Sequence, residues 1–176
     1  MIATLRFIGV LNAAIWFGGA LFFTFSIWPA SLSSDLREVF GETYTRVIAF
    51  HLVDHYYRLF YWCGIIALVH QLAEWVYLGK ALQRLTITVL AVVFSIGLLG
   101  GFWMQPRLKK NHEIRYAKPG IYTPQLQEQA ARRFKTWNAV AHFANVVALC
   151  GLAYNFWRIT APPATTRFVA TGKFRS

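Results

Sequence analysis

Long apolar blocks separated by short polar stretches dominate the pattern of this chain. Four blocks reach the roughly 20 helical residues that are needed to cross a bilayer core of about 30 Å. They cover residues 7–28, 59–78, 85–104 and 137–157. Most of the tryptophans lie near the ends of these blocks, where interfacial aromatic residues are usually found. The pattern therefore predicts an all-α protein with four transmembrane helices.

The connections between the blocks predict how these helices are arranged. Only residues 79–84 separate the second and third blocks, so their helices are expected to be antiparallel neighbours. An up-down four-helix bundle is the simplest architecture. Pro29 is expected to end the first span and Pro106 the third. We expect one transmembrane domain at residues 1–161 and a basic C-terminal tail at 162–176.

The two longer connections have different patterns. Apolar positions recur at helical spacing between Leu36 and Val47, which predicts an amphipathic approach to the second helix with a break at Gly41. Residues 106–136 are rich in Lys and Arg and are predicted to form a long basic loop between the third and fourth helices. Helical propensity in the second half of this loop indicates a segment in the membrane interface.

Small residues four apart predict where helices approach closely. Ala14 with Gly18, and Gly97 with Gly101, have this spacing within the apolar blocks. Such pairs let two helix backbones come together in a membrane, where apolar burial gives little drive for association.

The charge distribution indicates which partners to expect. Lys and Arg number 18 against 7 Asp and Glu, a net charge of +11, and these cations flank the apolar blocks. Anionic lipid headgroups are therefore expected as partners, and nucleic acid is not. Eleven of the cations lie on the side of the first and third connections and seven on the side of both termini. The positive-inside rule then puts both termini outside the cytoplasm, in what we expect to be a bacterial inner membrane.

Four polar side chains form the first candidate site. His51, Asp54 and His55 share one helix face by their spacing, and His142 begins the fourth helix on the same side of the membrane. Two imidazoles one turn apart, a third imidazole and a carboxylate are suitable ligands for copper, zinc or nickel. A haem b held between His142 and His51 or His55 is the redox alternative.

The same residues also allow an interpretation without any ligand. Asp54 would then pair with Arg58, one helical turn away. His142 would bond the neighbouring Asn138 or Asn145.

A second polar cluster is predicted deeper in the bundle. His70 and Glu74 are one turn apart in the second span, and Asn12 and Asn155 fall at a similar depth. A buried carboxylate beside an imidazole can relay protons or bind a cation. The alternative is an interhelical hydrogen-bond clasp that contributes roughly 1 kcal/mol.

Two stretches carry a family resemblance. Residues 15–23, Ile-Trp-Phe-Gly-Gly-Ala-Leu-Phe-Phe, resemble the first helix of copper-resistance protein D-like membrane families. Residues 133–145 resemble the fourth helix of the short four-helix relatives of unknown function in those families. The resemblance implies a four-helix bundle, a link to copper or other heavy metals, and no enzymatic activity. Those relatives have a first-helix histidine where this chain has Gly9, so the resemblance implies no ligand there.

Patterns typical of enzymes are not found. The sequence has no phosphate-binding glycine loop, nucleophile elbow or HExxH pair, so no catalytic residue is predicted. We predict a non-enzymatic, multi-pass membrane protein that binds a copper-like metal ion or a partner subunit. The alternative is a haem-binding or accessory subunit of a larger membrane redox complex.

Overall fold

The computed structural model describes residues 2–31, 33–78, 84–117 and 120–161. Helices make up almost all of these residues. The predicted link at 79–83 and the predicted tail at 162–176 lie outside these residues. The elements in chain order are α1 (Ile2–Phe22), α2 (Trp28–Ser31), α3 (Ser34–Leu78), α4 (Arg84–Leu98), α5 (Gln105–Arg115) and α6 (Pro124–Thr160), with π-helical segments at Phe23–Ile27 and Leu99–Met104.

Four helical stretches in the described residues are long and apolar enough to cross a membrane. They are Ala3–Ala30, Val47–Tyr77, Arg84–Arg115 and Pro124–Thr160. Their outward side chains are apolar as well: Phe25, Phe102 and Phe143 are 70–72% exposed. Helices that are hydrophobic all round are typical of proteins embedded in lipid. The predicted all-α transmembrane architecture with four spans is confirmed.

The spans form a closed ring of neighbours. α1 packs beside α3 and α6, and α4 packs beside the same two helices. Contacts between the first and fourth spans run in opposite directions along the two helices: Trp28 contacts His142, Thr24 contacts Asn145 and Phe17 stacks on Phe156, as in antiparallel neighbours. Ten buried side chains form the core along the axis of this ring: Trp16, Ala20, Phe60, Cys63, Ala67, Leu90, Val93, Ala148, Leu149 and Leu152.

Aromatic rings fill glycine gaps between α3 and the third span. A Cβ atom added at Gly97 would overlap the ring of Phe60, and one added at Gly101 would overlap Tyr61. In the reverse direction, Phe94 lies over Gly64 of α3. Each ring replaces the side chain that the opposite glycine lacks, so the two helices interlock with dense dispersion contacts.

The prediction that these small residues let two helix backbones come together was therefore wrong. Gly97 and Gly101 accommodate aromatic rings and not a neighbouring backbone. Gly18 has open space around it, since a Cβ added there would meet no atom within 4 Å. Ala14 is exposed, so the Ala14–Gly18 pair faces outward.

Neither predicted proline terminator ends its helix. Each proline follows a π-helical segment: Trp28 N–H, just before Pro29, donates to the carbonyl of Phe23, and Gln105 N–H, just before Pro106, donates to that of Gly100. These bonds span five residues, and the wider turn relieves the clash between a proline ring and the carbonyl four residues back. Helical backbone therefore continues beyond both positions.

The predicted long basic loop is mostly helix. α5 continues to Arg115, and α6 begins at Pro124, where the hydroxyl of Thr123 accepts a hydrogen bond from Leu126 N–H and caps the helix. Treating Pro106 as a terminator placed the end of the third helix too early, whereas the helix predicted in the second half of the basic segment is confirmed as the first part of α6. The basic residues consequently project from two helices that extend beyond the apolar blocks.

The predicted helical approach to the second span is confirmed. α3 begins at Ser34, and its backbone leaves helical geometry at Gly41, where φ is 73°. Glycine adopts positive φ without the steric cost that a Cβ atom imposes. The Thr45 hydroxyl lies 3.0 Å from the Leu36 carbonyl and 2.9 Å from the Gly41 carbonyl, which joins the two halves of the helix across the kink.

We predict that Gly97→Ala destabilises the bundle and that Gly18→Ala does not. The new methyl group at position 97 must displace the Phe60 ring, which is held edge-on against Trp16 at 5.1 Å. Overpacking of this kind costs about 1–3 kcal/mol. The matched change at Gly18 meets open space and should alter stability by about 1 kcal/mol or less. Thermal unfolding in detergent measures both, and equal melting temperatures would contradict the interlocking described above.

Candidate functional site

His51 and His55, two of the predicted metal ligands, lie together on the exposed face of α3. Their ring centroids are 5.0 Å apart, and His55 Nδ1 donates to the His51 carbonyl at 2.9 Å. This bond fixes the His55 tautomer and leaves its Nε2 lone pair facing away from the helix backbone. Both rings are exposed.

Asp54 faces the third span instead of the two histidines. Its carboxylate accepts hydrogen bonds from Lys109 Nζ at 2.9 Å and 3.0 Å and also from Gln105 Nε2. The alternative pairing of Asp54 with Arg58 is therefore replaced by an ion pair between α3 and α5. Sequence spacing could not have found Lys109, because α5 was expected to be a loop.

His142 is held by the end of the first span. The indole N–H of Trp28 donates to His142 Nε2 at 3.0 Å, and the two rings meet edge-on with centroids 5.6 Å apart. The expected bonds from His142 to Asn138 or Asn145 do not form. Because Nε2 accepts a hydrogen bond from Trp28, neutral His142 carries its own proton on Nδ1.

His51 and His55 thus lie side by side, while Asp54 bonds Lys109 and His142 bonds Trp28. Among residues 2–31, 33–78, 84–117 and 120–161, no group of three or more His, Cys, Asp or Glu side chains is arranged to hold a metal ion. The structure thus gives no support to the predicted metal cluster. A haem between His142 and His51 or His55 would need two of these imidazoles at one cavity, whereas of the three only His142 lines the cavity described below.

The deeper polar residues act as separate clasps between α1 and α3. Asn12 Nδ2 donates to the Cys63 carbonyl at 2.9 Å, and His70 Nε2 donates to the Leu5 carbonyl at 3.0 Å. Asn12 and His70 are only 7% and 5% exposed. The His70 ring fills the gap left by Gly9, so a histidine at position 9 would collide with it.

The other two members of this predicted cluster are Glu74 and Asn155. Glu74 is half-buried. Asn155 is 2% exposed, and its Oδ1 atom has no hydrogen-bond partner among the described residues. Among the described residues, no hydrogen bond joins Asn12, His70 and Asn155 to one another, and the proton relay stays a prediction.

A cavity of about 360 Å³ opens at the end of the bundle that carries the first and third connections. All four spans line it, through residues 23–28, 45–57, 104–116 and 134–145. We call it the aromatic cavity, because every span contributes rings to its wall. Sequence reasoning missed it, since it depends on helix ends that were expected to be loops.

Hydrogen-bonded polar groups form the deep end of the aromatic cavity. Asn145 Nδ2 donates to the Thr24 hydroxyl at 2.7 Å, and the Tyr56 hydroxyl lies 3.3 Å from Asn145 Oδ1. Phe23 stacks on Tyr56 with ring centroids 4.1 Å apart. Residues from three spans are thus fixed at the floor, with their polar groups satisfied by one another.

The opposite end of the cavity carries a ring cluster around His112. Its imidazole lies 5.2 Å from Phe50, 4.8 Å from Tyr116 and 5.5 Å from Phe134 between centroids. His112 belongs to the segment that was predicted to be a long basic loop. The helical continuation through Pro106 turns it toward α3 and α6 instead.

Comparison with known proteins gives a family but no function. The model of a family described as a domain of unknown function, DUF4149, matches residues 11–117, more than half of the chain. The match includes three of the spans and stops before α6. No curated protein and no solved structure matches the chain. The relation to copper-resistance protein D is not shown by this match and stays a prediction.

We predict a stronger coupling for Asp54–Lys109 than for the neighbouring helix pair Glu128–Arg132. The first pair has side chains 34% and 32% exposed, whereas the second has 80% and 66%. Reduced solvent screening should give about 1 kcal/mol for the first pair against about 0.3 kcal/mol for the exposed pair. Double-mutant cycles with Asp54→Asn and Lys109→Gln, and with Glu128→Gln and Arg132→Gln, measure both values by unfolding. A coupling near zero for the first pair would remove its role in holding α5.

Proposed function

We propose that this chain, which belongs to the DUF4149 family, is a membrane-embedded binding protein for a small amphipathic molecule. The aromatic cavity is the observation that carries the proposal. It combines apolar walls with a few convergent polar groups, which is the usual composition of a small-molecule site. The proposal concerns binding, with no chemical step assigned to the cavity.

The size of the aromatic cavity limits what it can hold. Its volume of about 360 Å³ lies near the lower end of the roughly 300–1,000 Å³ found for small-molecule pockets. A single-chain or single-ring molecule suits this volume, whereas a whole two-chain phospholipid does not. Such small amphiphiles are dissolved in or adsorbed to every bilayer, so the membrane itself would supply the ligand.

The distribution of groups along the cavity supports an amphipathic occupant. The stacked Phe23 and Tyr56 rings and the ring cluster of His112 provide flat apolar contact surfaces. His142 offers one polar contact, because Trp28 occupies Nε2 and leaves the Nδ1 proton as a donor. Under the positive-inside prediction, the open end faces the cytoplasm.

The earlier candidates receive no comparable support. The four predicted metal ligands form no group of three among the described residues, and neither His51 nor His55 lines the cavity with His142. Binding of a partner subunit stays a prediction, since apolar exposed faces are expected of any chain surrounded by lipid. The aromatic cavity is the one feature that favours a particular type of ligand.

A photolabelling experiment tests the proposal. The probe is a single-chain alkyl alcohol with a diazirine at the tail, added to the protein purified in a neutral detergent. We predict that labelled peptides concentrate in residues 45–57 and 134–145. Ala141→Phe, which puts a ring into the cavity, should abolish most of this labelling because the space is filled.

The matched control is Ala139→Phe, on the same helix but exposed and outside the cavity lining. It should label like the wild type. Ala49→Phe fills the cavity from α3. It is a second filled variant, which keeps the test valid if Ala141→Phe misfolds. If both filled variants fold, as judged by their melting temperatures, and still label as strongly as Ala139→Phe, the proposed function is wrong.

A further inference from the structure

Acidic side chains are missing from the lining of the aromatic cavity. Its described lining residues include one arginine, Arg115, and two histidines, His112 and His142, but no Asp or Glu. Arg115 thus carries the one fixed charge among the described lining residues, and its side chain is exposed. A site with charge of one sign attracts ligands of the opposite sign. The electrostatics of this cavity therefore favour a negative group over a neutral or positive one.

The cations of α5 differ in their partners, and Arg115 is the one that lines the cavity. Lys109 is bound to Asp54, and the guanidinium of Arg107 lies 3.8 Å from the ring centroid of Trp103. Arg115 lines the cavity, and its guanidinium lies 4.8 Å from the Tyr116 ring centroid. No described carboxylate forms an ion pair with it. A planar guanidinium can bind carboxylate or phosphate oxygens through two parallel hydrogen bonds.

One effect opposes an anion at this position. α5 ends at Arg115, and the carbonyl end of a helix carries the equivalent of about half a negative charge. The guanidinium carries a full positive charge, so the balance near the end of α5 remains positive. The effect of the helix dipole is also confined to about one turn at the helix end. The flexible side chain of Arg115 can place its guanidinium beyond that range.

We propose that the occupant is a single-chain amphipathic anion whose carboxylate or phosphate group binds Arg115, with its apolar part between the rings of the cavity. This inference rests on the proposed function and specifies its ligand class. A fatty acid and a single-chain phospholipid share the required chemistry. The head group lies at the open end of the cavity, at the level of the lipid headgroups, and the tail points toward Asn145.

The test uses four diazirine probes that share one alkyl tail and differ in the head group: carboxylate, phosphate, alcohol and trimethylammonium. Cavity labelling of each probe is divided by its own labelling of Ala141→Phe, which cancels differences in detergent partition. We expect the two anionic probes to exceed the alcohol by about tenfold, as one charge-assisted hydrogen-bonded contact provides, and the cation to fall below it. The ratio of carboxylate to phosphate distinguishes the two sources.

Arg115→Gln should lower labelling by the anionic probes to the level of the alcohol without changing the alcohol itself. Lys110→Gln is the matched control, because Lys110 lies on the same helix but is exposed and outside the lining. Equal cavity labelling by all four probes would overturn the anion inference and leave the proposed function in place. Absence of cavity labelling by every probe would overturn both.

Discussion

Rings seated over glycines determine how α3 meets the third span. Membrane helices gain little from burying apolar surface against each other, so their association depends on shape and on interhelical polar bonds. Here the rings of Phe60 and Tyr61 enter gaps at Gly97 and Gly101, and Phe94 enters the gap at Gly64 in the opposite direction. Interlocking in both directions fixes the rotation and the register of the two helices. That register then brings Asp54 opposite Lys109, so the polar contacts near the cavity follow from packing in the core.

The two ends of the bundle are stabilised differently. On the side of the termini, Asn12 and His70 bond backbone carbonyls across α1 and α3, and the His70 ring fills the gap at Gly9. These are short links that keep the two helices in contact. At the other end the corresponding links are longer side-chain pairs, such as Trp28 with His142. The aromatic cavity lies at this end, where rings from all four spans line it.

The sequence predicted the spans well because lipid imposes a length and a composition that can be read directly from apolar blocks. It also predicted the break at Gly41, since glycine tolerates the required backbone geometry. The ends of the spans could not be predicted in the same way. Pro29 and Pro106 indicate termination by ordinary rules, whereas the π-helical turns before them depend on tertiary packing. Because Pro106 was expected to end the third helix, the residues of α5 were expected to form a loop.

The candidate site was harder to predict than the fold for a related reason. His51, Asp54 and His55 share a helix face by spacing. The Asp54 carboxylate nevertheless accepts its hydrogen bonds from Lys109 of α5. Spacing along one helix gives only the approximate face on which a side chain lies. The residues of the neighbouring helix determine which contacts it makes. His112 shows the reverse case. It looked isolated in the sequence, but the helix that continues through Pro106 places it among Phe50, Tyr116 and Phe134. The cavity depends on that continuation, because without α5 neither this ring cluster nor Arg115 would face α6.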